Sequence, residues 1–287
     1  MSKELPAHIT ALLQSQQRSP DGQPADSAGV PWEGRDLSGE GNPLHTFDGD
    51  DGLAPPALQG ILAQLRAGEA DETAVVNTLP GLRLFAPVIA SLGGGQTHED
   101  HAEVGDKEAD ISLVSLAASD GRRAMPVFSS VEALTAWHPE ARPVAAEAER
   151  IMLAALAEGA ELAVLDPGAE FTFVIRRPAV EALAQGRTWT PAYADHEVAR
   201  ALSEVPEQCP GVAQLLLQPS RGIVTADAHG ARVVGGGSGP EVALGVVFDD
   251  GLEDVDQRLA LAAVQASLAD VPVLRERADS VEIIRAA

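Results

Sequence analysis

From Pro55 onward the chain moves between helical and alternating hydrophobic patterns. Leu58, Ile61, Leu62 and Leu65 recur at i, i+3, i+4 and i+7, one face of a helix that Gly68 can close. Residues 73–79 and 82–89 read as β-strands around a Pro80-Gly81 turn. Residues 111–119 and 123–128 read as a second strand pair, with Asp120-Gly121 as the hairpin signal. Ser129 and Glu132 then have capping-box spacing, ahead of a short helix carrying Val131, Leu134 and Trp137 that His138-Pro139 ends. A helix over 147–158 stops at Gly159. Two paired strands, 162–165 and 171–175, flank Asp166-Pro167-Gly168, and Pro178 opens a further helix.

A linker at 188–193, with Trp189 expected to cover a junction, separates this region from a second one. There the pattern predicts a helix near 195–203, strands near 212–217, 222–226 and 242–248, a helix over 254–268 and a last strand at 281–285. The stretch from Val242 to Arg285 fits one βαβ unit. Gly235 to Gly239 reads as a flexible loop. Interspersed helices and hairpins favour an α+β fold of mixed sheets in two packed subdomains, 53–190 and 191–287. Residues 1–52 are rich in Gly, Pro, Ser and Asp with scattered apolar positions. They are expected to form an extended or disordered acidic segment, with Trp32, Leu44 and Phe47 as its adhesive points.

Charge narrows the partners. With 43 acids against 20 bases the formal net charge is −23. Nucleic-acid binding needs clustered Lys and Arg facing phosphates, so it is not expected, nor is docking on an anionic membrane. No stretch is apolar for the ~18 residues that a membrane span needs, and the N-terminus shows no secretory pattern. A single cysteine, Cys209, cannot form an internal disulfide, which fits the cytoplasm. Only 3% of residues are aromatic, so Leu, Val, Ile and Ala must build the core.

Chemistry-bearing residues are few. Between 93 and 110 lies a polar segment with six acids. Within it, His98, Asp100, His101 and Glu103 could ligate a divalent metal, although the spacing matches no established zinc signature; a solvated acidic loop with incidental histidines explains it as well. Lys107, Glu108 and Asp110 could pair locally or contact a ligand. Arg122, Arg123, Arg176 and Arg177 are basic pairs in an acidic chain, and they would form a cationic spot if the elements carrying them were neighbours. Cys209 has no neighbouring histidine, no GxSxG occurs, and the 235–239 glycines lack the Lys-Ser/Thr of a phosphate loop. No catalytic constellation and no cofactor are expected.

The run KEADIS at 107–112, DGRRAMPVFSSVEALTAWHPEARPV at 120–144, LAALAEGAELAVLDP at 153–167 and FVIRRPAVEALAQG at 173–186 resembles the SseB (enhanced serine sensitivity) N-terminal domain over about 55–190. GVAQLLLQPSRG at 211–222 resembles the tail of the same proteins more weakly. The resemblance implies an α+β fold and a cytoplasmic location, and it carries over no catalytic residue. The expected role is a non-enzymatic interaction or regulatory protein with a protein partner. A metal-binding protein or metal-dependent hydrolase using the 98–103 cluster is the alternative.

Overall fold

The computed structural model describes residues 47, 50–92, 109–118 and 120–286. Residues 50–287 form one compact unit of α+β architecture. It opens with α1 (Pro56–Ala67), which has proline in its first turn and buries Leu58 and Leu65. Gly68, at φ 74°, ends α1 in the left-handed region and donates to the carbonyls of Gln64 and Leu65. The next element departs from the strand expected at 73–79. It is α2 (Glu72–Thr78), whose N-cap Asp71 accepts the Ala74 N–H. The β-branched Thr73, Val75 and Val76 suggest a strand, but an aspartate cap and burial of Val75, Val76 and Leu79 together decide for helix.

Three sheets follow. The first orders its strands β2-β1-β5 and is antiparallel, with β1 (Arg83–Leu92) between β2 (Ala109–Leu113) and β5 (Arg142–Glu147). The 93–110 segment was expected to be loop throughout, yet Ala109 and Asp110 pair in β2, opposite Leu92 and Ser91. The pattern also missed β5. Pro143 and charged ends hide it, and both suit an edge strand. The second sheet runs β3-β4-β6-β7, from β3 (Leu116–Ala117), β4 (Arg123–Val127), β6 (Leu162–Leu165) and β7 (Phe173–Ile175). Its middle pair, β4 and β6, is parallel. The Asp120-Gly121 hairpin exists, but it joins only the short β3 to β4. A bridge between Phe85 and Phe128, 2.8 and 2.9 Å in its two hydrogen bonds, ties the first two sheets.

Helices α3 (Val131–Trp137) and α4 (Ala148–Ala157) belong to the crossover from β4 to β6. Ser130, not Ser129, caps α3, accepting the Ala133 N–H at 3.1 Å. Helix α5 (Arg177–Ala184) follows β7. Its apolar face joins α1, α2 and α4 in the main core, which contains Leu58, Leu84, Met152, Phe173 and Val180. Trp189, expected in a linker over a junction, is 5% exposed and belongs to this core. Asn77 holds it there. The Asn77 side chain donates to the Trp189 carbonyl at 3.0 Å and accepts the Trp189 N–H at 2.9 Å.

The second core lies under the third sheet, β12-β11-β8. Here β8 (Val212–Pro219) is antiparallel and β12 (Val281–Arg285) parallel to β11 (Val242–Phe248). Helix α6 (His196–Ser203) precedes β8. Helices α7 (Asp254–Leu268) and α8 (Pro272–Arg277) lie between β11 and β12, so the expected βαβ unit is present with a second, six-residue helix in its crossover. A ribbon of β9 (Val224–Ala226) and β10 (Arg232–Val234) leaves this half and buries Val233 in the main core.

The 235–239 glycines close that ribbon, and they are not a free loop. Gly235, Gly236 and Gly237 are buried, and the Gly236 carbonyl accepts the Val174 N–H at 2.9 Å, covering the edge of β7. Gly236 sits at φ 72°, and a Cβ there would stand 2.3 Å from the Phe173 ring. Gly236→Ala therefore combines backbone strain with a clash against a core aromatic. Urea unfolding is expected to show a loss of more than ~2 kcal/mol, whereas Gly60→Ala, a helical site with open space, should be neutral or slightly stabilising.

Candidate functional site: a buried charge junction

Arg176 closes β7 and is the N-cap residue of α5, where the chain turns inward. It is 2% exposed. An arginine cannot shed its charge in a protein, so burial forces it to find acceptors. Its guanidinium donates to the carbonyls of Gly237 at 2.6 Å and Gly239 at 2.8 Å, and it pairs with Asp279 at 3.3 Å. Of its three nitrogens, only Nε lacks a partner. Asp279, between α8 and β12, has a fully buried side chain and also takes Arg122 at 2.6 Å and the Ser280 hydroxyl at 3.0 Å. Arg177 donates to the carbonyls of Arg275 and Ala278 and pairs with Glu181 one turn along α5.

Three of the four arginines singled out in the sequence thus converge around the 275–280 segment. Arg123 does not, and donates to the Glu158 carbonyl. The cationic spot is consequently a tie, because its charges face an aspartate and backbone carbonyls of the second half. Asp110 lies in β2, and Lys107, Glu108, His98, Asp100, His101 and Glu103 lie outside the described residues. No group of three or more potential metal ligands occurs among the described residues.

Acids that the pattern did not single out complete the junction. Glu241, just before β11, is 0% exposed. One carboxylate oxygen accepts the Ala192 N–H at 2.7 Å and the other the Asp279 N–H at 2.6 Å. Burial pushes its pKa up to about 7, against the pull of those two N–H groups and of Arg176. Glu72, 2% exposed in α2, accepts the Tyr193 hydroxyl at 3.0 Å and the Gly236 N–H at 3.2 Å. Burial, reinforced by Glu72, raises the Tyr193 pKa, so the phenol stays protonated and donates. For Glu241 and Asp279 the signal is an acid one or two residues before an apolar strand, as in Glu241-Val242 and Asp279-Ser280-Val281.

A second polar feature lies where the parallel strands β4 and β6 end. Asp166, 8% exposed, adopts φ 49° and accepts the Ser129 N–H at 2.8 Å. Burial raises its pKa. The Thr172 hydroxyl donates to its carbonyl at 3.1 Å, so the site is a turn pinned from two sides.

Residues 58–182 match the family model described as the SseB protein N-terminal domain. Over these residues the chain is similar to the SseB protein N-terminal domain. Comparisons with curated proteins and with solved structures each found no match. The matched domain contains Arg122, Arg176 and Arg177, and it ends inside α5. Asp279, Glu241 and the glycine loop, to which its arginines are tied, all lie beyond the match.

Two measurements follow. Arg176→Met removes one of the two cations on Asp279 and strands two buried carbonyls, for an expected loss of roughly 3–5 kcal/mol in urea unfolding; Arg122→Gln, whose side chain is partly exposed, should cost markedly less. For Glu241 the folded pKa lies above the ordinary 4.5, so the fold binds its proton more tightly than the unfolded chain does. That contribution is complete below about 4.5 and is lost as pH rises through about 7. Stability measured from pH 5 to 8 should fall in the wild type by about 3 kcal/mol at most relative to Glu241→Gln. Parallel profiles would contradict this.

Proposed function

We propose that this chain is a non-enzymatic cytoplasmic protein of the SseB type that acts by docking a partner protein, in an interaction or regulatory role. The observation that carries this reading is the outward face of α7. Val255 and Leu259 are 57% and 65% exposed there. Ala262, Ala266 and Ala269 are also exposed and continue the row at spacings of three, four and three. Alternating steps of four and three form the seam along which a second helix packs. Glu253, Asp254 and Asp256 surround its start, on a chain of net charge −23. The partner this face fits is an amphipathic helix with an apolar stripe bordered by Lys and Arg.

Two other features support the reading. The junction arginines and acids are engaged in joining the chain to itself. Cys209, 1% exposed, is a free thiol, as suits a reducing compartment. No helix among the described residues is long and apolar enough to cross a membrane.

Affinity capture with the full chain and with a Val255→Asp/Leu259→Asp variant tests the docking face. The wild type should recover a protein presenting a basic amphipathic helix, the variant at least ~tenfold less, and recovery should decline as salt rises. Equal recovery by both baits, or insensitivity to salt, would sink the reading.

A further inference from the structure

The third sheet ends on one side at β8, which pairs with β11 alone. No other element bonds the backbone of residues 213–218 among the described residues. An open edge of this kind offers a row of free N–H and C=O groups to another strand, and proteins ordinarily blunt it with charge, proline, shortness or a cover. The other edges are blunted in one of these ways. Strand β12 carries Glu282 and Arg285, and β5 carries Arg142, Pro143 and Glu147. Asp110 belongs to β2, β3 is two residues long, and the Gly236 carbonyl covers β7. The β9–β10 ribbon has three-residue strands. By contrast β8 has eight residues, and from Gln208 to Ser220 the chain has no charged side chain although 22% of all its residues are charged. Only Pro219, at the last position, interrupts its row of donors.

This edge is also complementary to itself. Residues 214–218 read Gln-Leu-Leu-Leu-Gln, the same in both directions. In a two-fold dimer, residue i of one copy meets j of the other and j meets i. An axis through Leu216 therefore sets Gln214 against Gln218, Leu215 against Leu217 and Leu216 against its own copy. Side chains alternate along a strand, so Gln214, Leu216 and Gln218 share one face, and Leu215 and Leu217 the other. Leu215 and Leu217 already pack on the second core, and Leu216 stands 37% exposed beside Gly245. Charge points to the same occupant. Two chains of net charge −23 repel wherever their acids meet, and an uncharged edge lets them approach without that repulsion. A basic partner would find no acid on β8 to recognise. We propose that β8 pairs antiparallel with β8 of a second copy of this chain, joining the two third sheets into one continuous sheet. This surface is distinct from the outward face of α7.

Sedimentation velocity on the full chain, from about 1 μM to about 1 mM, reads the association. The wild type should pass from one chain to two and stop there. Double variants at the exposed positions 214 and 218 test the register. Gln214→Glu/Gln218→Glu and Gln214→Lys/Gln218→Lys each set like charges opposite one another, and each should weaken the dimer at least ~tenfold. The lysine pair does so while lowering the net negative charge, which removes general repulsion as the cause. Gln214→Lys/Gln218→Glu sets opposite charges together and should keep the wild-type association or tighten it. Thermal unfolding at the lowest concentration should place all three close to the wild type. A variant that melts early is replaced by Leu216→Lys, which brings two ammonium groups together at the axis and should likewise weaken the dimer. A single chain throughout the concentration range, species larger than two chains, or a dimer that all three double variants affect alike would overturn the proposal.

Discussion

A guanidinium that cannot lose its charge, buried to 2% exposure, governs how the chain closes on itself. Arg176 stands at the end of an edge strand, and its burial is tolerable only because the glycine loop turns two carbonyls toward it while Asp279 supplies the counter-charge. Each of those groups makes its own demand. The loop must be glycine where it presses on the Phe173 ring, because a side chain at Gly236 would occupy the ring's space. Asp279 must lie in a tight turn between α8 and β12, where Ser280 and the backbone of Arg177 also reach it. The long connection from the ribbon to the last strand is thus drawn onto the matched domain by three arginines, of which Arg176 is the most deeply buried. An apolar pair of equal volume could hold the same surfaces together. It would not specify which carbonyls face inward, and the loop's register over β7 depends on that.

Legibility in the sequence followed how local the determining physics was. Helix α1 shows its four apolar positions and its terminal glycine within a dozen residues, and β11, α7 and β12 carry their patterns just as plainly. Residues 72–78 were misleading because strand preference in Thr, Val and Val is an average over half-buried surfaces, and here a single aspartate cap and the neighbouring α1 outweighed it. The glycine run looked mobile for the same reason: composition reports conformational freedom, whereas a distant arginine and a sheet edge remove it. The basic pairs were visible as candidates, but their partners lie about a hundred residues away along the chain, as in Arg176–Asp279. No local pattern carries that information. Cys209 reads the same way, a small buried group beside Ser267 whose surroundings come from another helix.

The junction acids hold one short segment between the two cores. Between Arg187 and Asp195 the chain carries Trp189, held by Asn77; Ala192, whose N–H is held by Glu241; Tyr193, held by Glu72; and Asp195, which caps α6 and pairs with Arg277. Four residues of this stretch are therefore anchored, two of them to α2. Such anchoring fixes the backbone of this stretch in place. Glu241, whose pKa burial pushes up to about 7, holds this stretch at Ala192, three residues beyond Trp189. Loss of the Glu241 proton puts a negative charge beside Asp279, which Arg176 offsets. The backbone that Glu241 holds at Ala192 is the same backbone that positions Trp189 and Asp195.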